Sequence, residues 1–243
     1  MEQKTALVTG ANKGIGYEIA KGLGAKGVKV LVGARSEERG AEAVAKLREA
    51  GVEADFLQLD VTDEDSIAAA VKQVERLDIL VNNAAVALAD GGWDTSELTV
   101  ATTRKVFETN VIGVVAVTNA FLPLLRESAS PRIVNVSSEV GSFDFMTGDN
   151  EFSAMQGGAY AASKSALNML TISYAKEFKD GPVKVNAMTP GYTKTDLNDN
   201  QGWRDPAISA KVAIDLALID DDGPNGGFFQ EGLEYHKDTT VPW

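Results

Sequence analysis

T-A-L-V-T-G-A-N-K-G-I-G, Thr5 to Gly16, decides the fold. Its first five residues are a short apolar run of the kind that forms a buried strand. A glycine-rich turn follows, and behind it Gly16–Ala25 has the apolar spacing of a helix. The glycines stand as G-x3-G-x-G, wider than the common G-x-G-x-x-G, but the physics is unchanged. Gly10 permits a sharp exit from the strand, Gly14 lets backbone approach a pyrophosphate, and Gly16 allows close helix–strand packing. Alone, such a turn is only a tight turn. Between a strand and a helix that open a βαβ unit, it points to a dinucleotide resting on a helix N-terminus.

The same alternation runs outward from this stretch. Strands are expected at Val28–Gly33, Ala54–Leu59, Leu77–Val81, Arg132–Val136, Val183–Ala187 and, briefly, Gly227–Phe229. Helices are expected at Ser36–Ala50 with Ser36 as cap and at Asp63–Val74 with Thr62 as cap and Asp65 in the first turn. Two longer ones follow, Leu98–Leu125 with Pro123 near its end, and Gly158–Phe178. Strand and helix alternating at this pitch give an α/β fold: a doubly wound parallel sheet with helices on both faces, in one domain over residues 1–243. Two stretches break the alternation, Ser142–Gly157 and Gly191–Asp205. Both follow strand ends, where ligands sit in open α/β sheets.

Composition removes several chemistries. The 243 residues include no cysteine, so disulfides, thiolate catalysis and cysteine-bound metal are excluded. The single histidine, His236, lies in a polar tail and leaves little material for Ser-His-Asp or histidine–metal sites, so no metal is expected. A net charge of −12 argues against a nucleic-acid partner. No apolar run is expected to reach membrane-spanning length and Met1–Lys4 shows no signal pattern, so a cytoplasmic protein without a membrane partner is expected. Proton transfer is left to Tyr, Lys, Asp or Glu.

Tyr160 and Lys164, in G-A-Y-A-A-S-K-S-A-L-N, stand four residues apart among helix formers, on one face and one turn apart. A fixed ammonium beside a phenol favours the phenolate, lowers its pKa and makes the tyrosine a usable acid or base. The plain alternative is a packed aromatic with an exposed lysine. At the end of the second strand the chain reads G-A-R-S, Gly33 to Ser36, with Arg35 where a carboxylate would bind ribose hydroxyls and repel a 2′-phosphate. Lys13, inside the glycine loop, adds a second cation. Together they suit a 2′-phosphate, so NADP(H) is expected over NAD(H).

T-G-A-N-K-G-I-G, N-N-A-A at Asn82–Ala85, Asn110, N-V-S-S at Asn135–Ser138, Y-A-A-S-K at Tyr160–Lys164, and P-G-Y-T-K-T at Pro190–Thr195 occur in order along the chain. This set resembles the short-chain dehydrogenase/reductase family, a single-domain Rossmann-type fold. Lys13, the A-R-S after the second strand and the segment Gly223–Gln230 look like its carbonyl-reductase-like members.

The resemblance implies roles. Ser138 would hydrogen-bond a substrate carbonyl, Tyr160 would protonate it, and Lys164 would bind the nicotinamide ribose and tune Tyr160. Asn110 would hold a water linking Lys164 to solvent. Gly10, Asn12, Lys13, Gly14, Ile15 and Gly16 would cradle the cofactor, with Arg35 at its phosphate. Asp60 and Val61 would meet the adenine, and Asn83 would approach the cofactor from the fourth strand. Pro190, Gly191, Thr193 and Thr195 would cover the nicotinamide. The implied activity is reduction of a small hydrophobic aldehyde or ketone; the alternatives are oxidation of the matching alcohol, a dehydratase or epimerase using the same site, and a non-enzymatic NADPH-sensing protein.

Two departures stand out. Ala85 replaces the family's usual glycine, and the gap from Ser138 to Tyr160 is longer than usual. The added segment, with Phe143, Phe145, Met146 and Met155, is expected over the substrate mouth together with Trp203. In related carbonyl reductases such an insertion blocks subunit packing, which leaves monomer and homo-oligomer both open.

Overall fold

The computed structural model describes residues 3–87, 93–149, 154, 156–231 and 240–243. The expectations placed on Met155 and His236 fall outside these. Seven parallel strands form one sheet in the order β3-β2-β1-β4-β5-β6-β7. They are β1 Thr5–Thr9, β2 Lys29–Ala34, β3 Ala54–Gln58, β4 Ile79–Asn82, β5 Arg132–Val136, β6 Lys184–Met188 and β7 Phe228–Phe229. The helices are α1 Gly14–Ala25, α2 Glu37–Glu49, α3 Glu64–Val71, α4 Val100–Phe107, α5 Gly113–Glu127, α6 Phe143–Thr147, α7 Gly158–Glu177 and α8 Pro206–Ala217.

Period-two alternation sends each strand's apolar side chains to both faces. Ala6, Val8, Val32, Val81 and Val134 pack with Ile19, Leu47 and Leu216 of α1, α2 and α8. Leu7, Leu31, Leu80 and Ile133 point the other way, onto Ile67, Phe121 and Ala175 of α3, α5 and α7. Strand β1 pairs with β2 on one side and β4 on the other. The winding reverses between them, so the carboxyl ends of β1 and β4 open a crevice.

Three expectations are corrected. Asp63, not Thr62, caps α3, accepting from the backbone N–H of Asp65 and Ser66, while the Thr62 hydroxyl donates to Asp60. The long helix is broken by a π-helical segment, Glu108–Ile112. No Gly or Pro announces it inside that segment. The Asn110 side chain there is tied to the Val86 peptide, and Gly113 just beyond lets the helix close on Val61, whose carbonyl oxygen would lie 2.8 Å from an added Cβ. Third, the run Val100–Glu127 is apolar and long enough to cross a membrane. Its buried residues, among them Val106, Val114, Phe121 and Leu125, pack into this protein's own interior.

A buried polar ladder crosses the core beneath the crevice. Asn82 Nδ2 on β4 donates to Asn135 Oδ1 on β5 at 2.9 Å and to Thr118 Oγ1 on α5 at 3.1 Å. Asn135 Nδ2 donates onward to Thr171 Oγ1 on α7 at 2.8 Å. The ladder fixes α5 and α7 against the sheet. Asn135→Ala removes two buried bonds and should cost about 2–4 kcal/mol in urea unfolding. A loss below about 0.5 kcal/mol would show that the ladder contributes nothing net.

Candidate active site

The crevice is a cleft of ≈ 560 Å³ lined by the glycine loop, the ends of β2, β3 and β4, and the segment after β6. Gly10 and Gly14 take φ of +65° and +58°, a backbone region that glycine enters without steric cost. Gly16 serves a different contact from the one expected. A Cβ there would sit 2.4 Å from Asn83 Nδ2 and 2.7 Å from the Gly10 carbonyl oxygen. Its absence lets loop meet loop. Asn83 Nδ2 donates to the Thr9 carbonyl at 2.8 Å, and the backbone N–H of Asn83 and Ala84 donate to Thr9 Oγ1. Asn83 therefore braces the loop, and it lines the cleft along with Ala85.

At one end of the cleft lie Asn12, Lys13, Ile15, Arg35, Asp60 and Val61. Asp60 accepts from the Thr62 N–H and hydroxyl and so shapes the turn after β3. Lys13 is not a free cation: its Nζ lies 2.5 Å from Asp196 Oδ2, across the cleft mouth. Asp196 is held below the usual carboxylate range by that bond. A basic residue absent from the sequence reading, Arg39, lines the same end as Arg35. Ser36 caps α2 by accepting from the Arg39 N–H, which places the two arginines either side of the cap. The signal was present in the spacing, one helical turn, once Ser36 had been read as the cap.

At the other end stand Tyr160 and Lys164. Lys164 is 2 % exposed, and its Nζ donates to the Val136 carbonyl at 2.8 Å, 5.6 Å from the centre of the Tyr160 ring. Burial pushes this ammonium down to about 7. Tyr160 moves the opposite way from the expectation. Burial pushes its phenol up, the negative charge of Glu139 adds to that, and a hydrogen bond with Ser138 opposes it. A lysine that is itself desolvated and turned to a carbonyl does not draw out a phenolate. Of the two serines, Ser137 lines the cleft and is buried, bonded to Asn168 Oδ1 at 2.6 Å, while Ser138 is the one whose hydroxyl lowers the Tyr160 phenol.

Asn110 is fully buried, with Nδ2 donating to Val86 O and Ser163 Oγ and Oδ1 accepting from Val86 N. Its amide hydrogens are both used, so the implied water-holding role does not fall to the amide nitrogen; it is Thr109 that lines the cleft. In the loop after β6, Pro190 and Thr195 line the cleft, along with Lys194 and Asp196. Thr193 is buried, its hydroxyl within bonding distance of Pro190 O, Gly191 O and Ser209 Oγ. Thr193 and Gly191 shape the loop. The insert begins with α6, capped by Ser142, whose hydroxyl accepts from the Phe145 N–H and donates to Pro242 O. Phe143 and Trp203 are exposed, and Trp203 stands edge-on to Tyr192 at 4.9 Å.

Residues 4–205 match the family model described as short chain dehydrogenase. The chain is 32 % identical to (+)-neomenthol dehydrogenase of Capsicum annuum, over 97 % of this chain and 96 % of that enzyme. The solved structure of salutaridine reductase from Papaver somniferum is similar with a TM-score of 0.81 and 31 % identity, covering 94 % of this chain and 100 % of that one. NADPH-bound carbonyl reductase from chicken fatty liver gives 0.84 and 27 %, with 100 % of both chains covered.

The depressed Lys164 pKa has a consequence for stability. The folded protein releases this proton as pH rises through about 7, whereas the unfolded chain keeps it until about 10.4. In that window the unfolded state binds more protons, so folding stability rises with pH. Urea unfolding without added nucleotide should show a positive slope between about pH 7 and 9.5, approaching 1.4 kcal/mol per unit for one group. Lys164→Met should flatten it; an unchanged slope would assign the effect elsewhere.

Proposed function

The chain belongs to the short-chain dehydrogenase family and is an oxidoreductase, and from that premise we propose that it reduces an aldehyde or ketone to an alcohol with NADPH. The observation carrying this reading is the placement of Tyr160 and Lys164 in the same cleft as the glycine loop, with Lys164 buried one turn away and donating to the Val136 carbonyl. In this reading the Ser138 and Tyr160 hydroxyls are the donors that meet a carbonyl oxygen there. NADPH, when bound, supplies the hydride. The chain's own task is the oxygen, on which negative charge develops. Each preorganised donor aimed at such an oxygen contributes roughly 2.7–4 kcal/mol to transition-state stabilisation. Ser138 orients the carbonyl and Tyr160 gives up its proton. Lys164, with a pKa of about 7, can pass a proton at neutral pH and stands where a nicotinamide ribose would be held.

The residues fit the cofactor. The left-handed glycines make a cradle at the start of α1, and no carboxylate ends β2. Arg35 and Arg39 supply planar, bidentate donors suited to a 2′-phosphate, a task for which Lys13, engaged with Asp196, is the lesser contributor. The NADPH carried by the chicken carbonyl reductase is consistent with this choice. Exposed Phe143, Tyr192 and Trp203 on the segments that follow β5 and β6 favour a hydrophobic carbonyl substrate.

Tyr160→Phe should fold and bind NADPH with little change while losing carbonyl reduction by at least about 100-fold. A fully active Phe variant, assayed by NADPH oxidation over a carbonyl panel, overturns the assignment. Arg35→Ala with Arg39→Ala should raise the NADPH dissociation constant by about 10-fold or more and leave that of NADH nearly unchanged. Fluorescence titration with both nucleotides checks this, and equal losses would mean the pair does not read the phosphate.

A further inference from the structure

The turn Glu139–Gly141, between Ser138 and the insert, is clamped to the helix that carries Tyr160 and Lys164. A Cβ at Gly141 would sit 2.7 Å from the Lys164 carbonyl carbon. The Gly141 carbonyl accepts from Ser165 Oγ at 3.0 Å and Asn168 Nδ2 at 3.1 Å. Sliding of this turn along α7 is blocked. At its head, Glu139 reaches away from α7 to Thr189. The Glu139 N–H donates to Thr189 Oγ1 at 3.1 Å, and the Thr189 hydroxyl donates back to the Glu139 carboxylate. The Gly191 N–H also donates to Thr189 Oγ1 at 3.2 Å, so this 2 % exposed hydroxyl uses its donor and both acceptor sites. Thr189 leads directly into Pro190–Thr195.

Resting on the carbonyl-reducing reading above, we propose that Glu139 is a positioning residue of this site: it grips Thr189 to hold the Pro190–Thr195 loop against the Ser138 strand end, and it fixes a negative charge near the Tyr160 hydroxyl. Glu139 directly follows Ser138 in the chain, and the bond with Thr189 fixes where its carboxylate lies. Other charged groups on the elements around Tyr160 are less well placed. Arg104, Lys105 and Glu108 at and just beyond α4 and Asp144 on α6 are exposed, as are Lys194 and Asp196 across the cleft. Lys164 is committed to Val136. Among these, Glu139 is the charge that raises the phenol, after burial itself. A neighbouring anion disfavours a second one, so the tyrosine keeps its proton, the form needed to protonate a carbonyl oxygen, to higher pH.

The two functions of the side chain separate by substitution. Glu139→Gln removes the charge and retains an acceptor for Thr189; Thr189→Val breaks the grip and retains the charge. Two readouts apply: the alkaline limb of carbonyl reduction against pH, and the Cζ carbon resonance of Tyr160 in 13C-tyrosine-labelled protein, identified by its absence in Tyr160→Phe. Glu139→Gln should move both midpoints down together by on the order of one pH unit. Thr189→Val should leave them in place while weakening NADPH binding several-fold. Glu139→Asp, which keeps the charge, should hold the wild-type limb and covers the case in which the Gln variant does not fold. Coincident wild-type and Gln curves, or an equal shift in Thr189→Val, overturn the proposal. A protein that reduces no carbonyl while its Tyr160 resonance still shifts in Glu139→Gln would sink the carbonyl-reducing reading and leave the Glu139 charge effect standing.

Discussion

The contact on which the rest depends is the one between the Lys164 ammonium and the Val136 carbonyl. An ammonium removed from water is costly unless the surroundings supply a dipole, and here a single strand-end carbonyl supplies it. That arrangement holds only if β5 and α7 stay in register. The fold meets the requirement with structure that has no chemical role. Asn82, Asn135, Thr118 and Thr171 lace β4, β5, α5 and α7 together, and Gly141 lets the next turn lie directly on Lys164. The alternation of Ile133 and Val134 to opposite faces anchors β5 in both cores. The depressed ammonium pKa is thus a property of the packing and not of the lysine alone.

What the sequence disclosed and what it withheld follow from the range of each interaction. The Thr5–Gly16 run was legible because strand, turn and helix there are local events, and Gly10 and Gly14 take the backbone angles their type suggests. Tyr160 and Lys164 were legible as a pair because helical spacing is short-range. The sign of the tyrosine's shift was not, since it is set by burial and by Glu139 on another element. Lys13 read as a phosphate ligand because Asp196, 183 residues away, is invisible to a local reading. The same holds in part for Gly16, which is constrained by Asn83 from another strand end as well as by Gly10 at the exit of its own. The π-helical segment at Glu108–Ile112 was missed for a related reason: its Asn110 is tied to Val86, two dozen residues upstream.

A protein with a net charge of −12 must still attract an anionic cofactor. Its answer is local. Lys13, Arg35, Arg39 and Lys194 gather at one cleft, and at 0.15 M salt the field of more distant carboxylates is screened beyond about 8 Å. Asp196 tempers that cluster, because its bond to Lys13 leaves the arginines as the uncompensated donors facing the phosphate end. In the proposed reading, selectivity for a 2′-phosphate rests on guanidinium geometry, not on the bulk potential.

Two of the contacts that hold the loop after β6 differ in strength. The outer one, Lys13 with Asp196, joins side chains that are 56 % and 61 % exposed, and such pairs are worth less than about 1 kcal/mol and weaken with salt. The inner one, Glu139 with Thr189, is half-buried, reciprocal and reinforced by the Gly191 N–H. Of the two, the exposed contact at Asp196 is the one that yields more cheaply. Pro190 and Thr195 line the cleft between the two contacts, while Thr193 is locked to Ser209 behind them. The loop is thus held more firmly at Thr189 than at Asp196. That division suits the proposed site, whose proton donor must be placed before the cofactor arrives, and whose cofactor must still be able to leave.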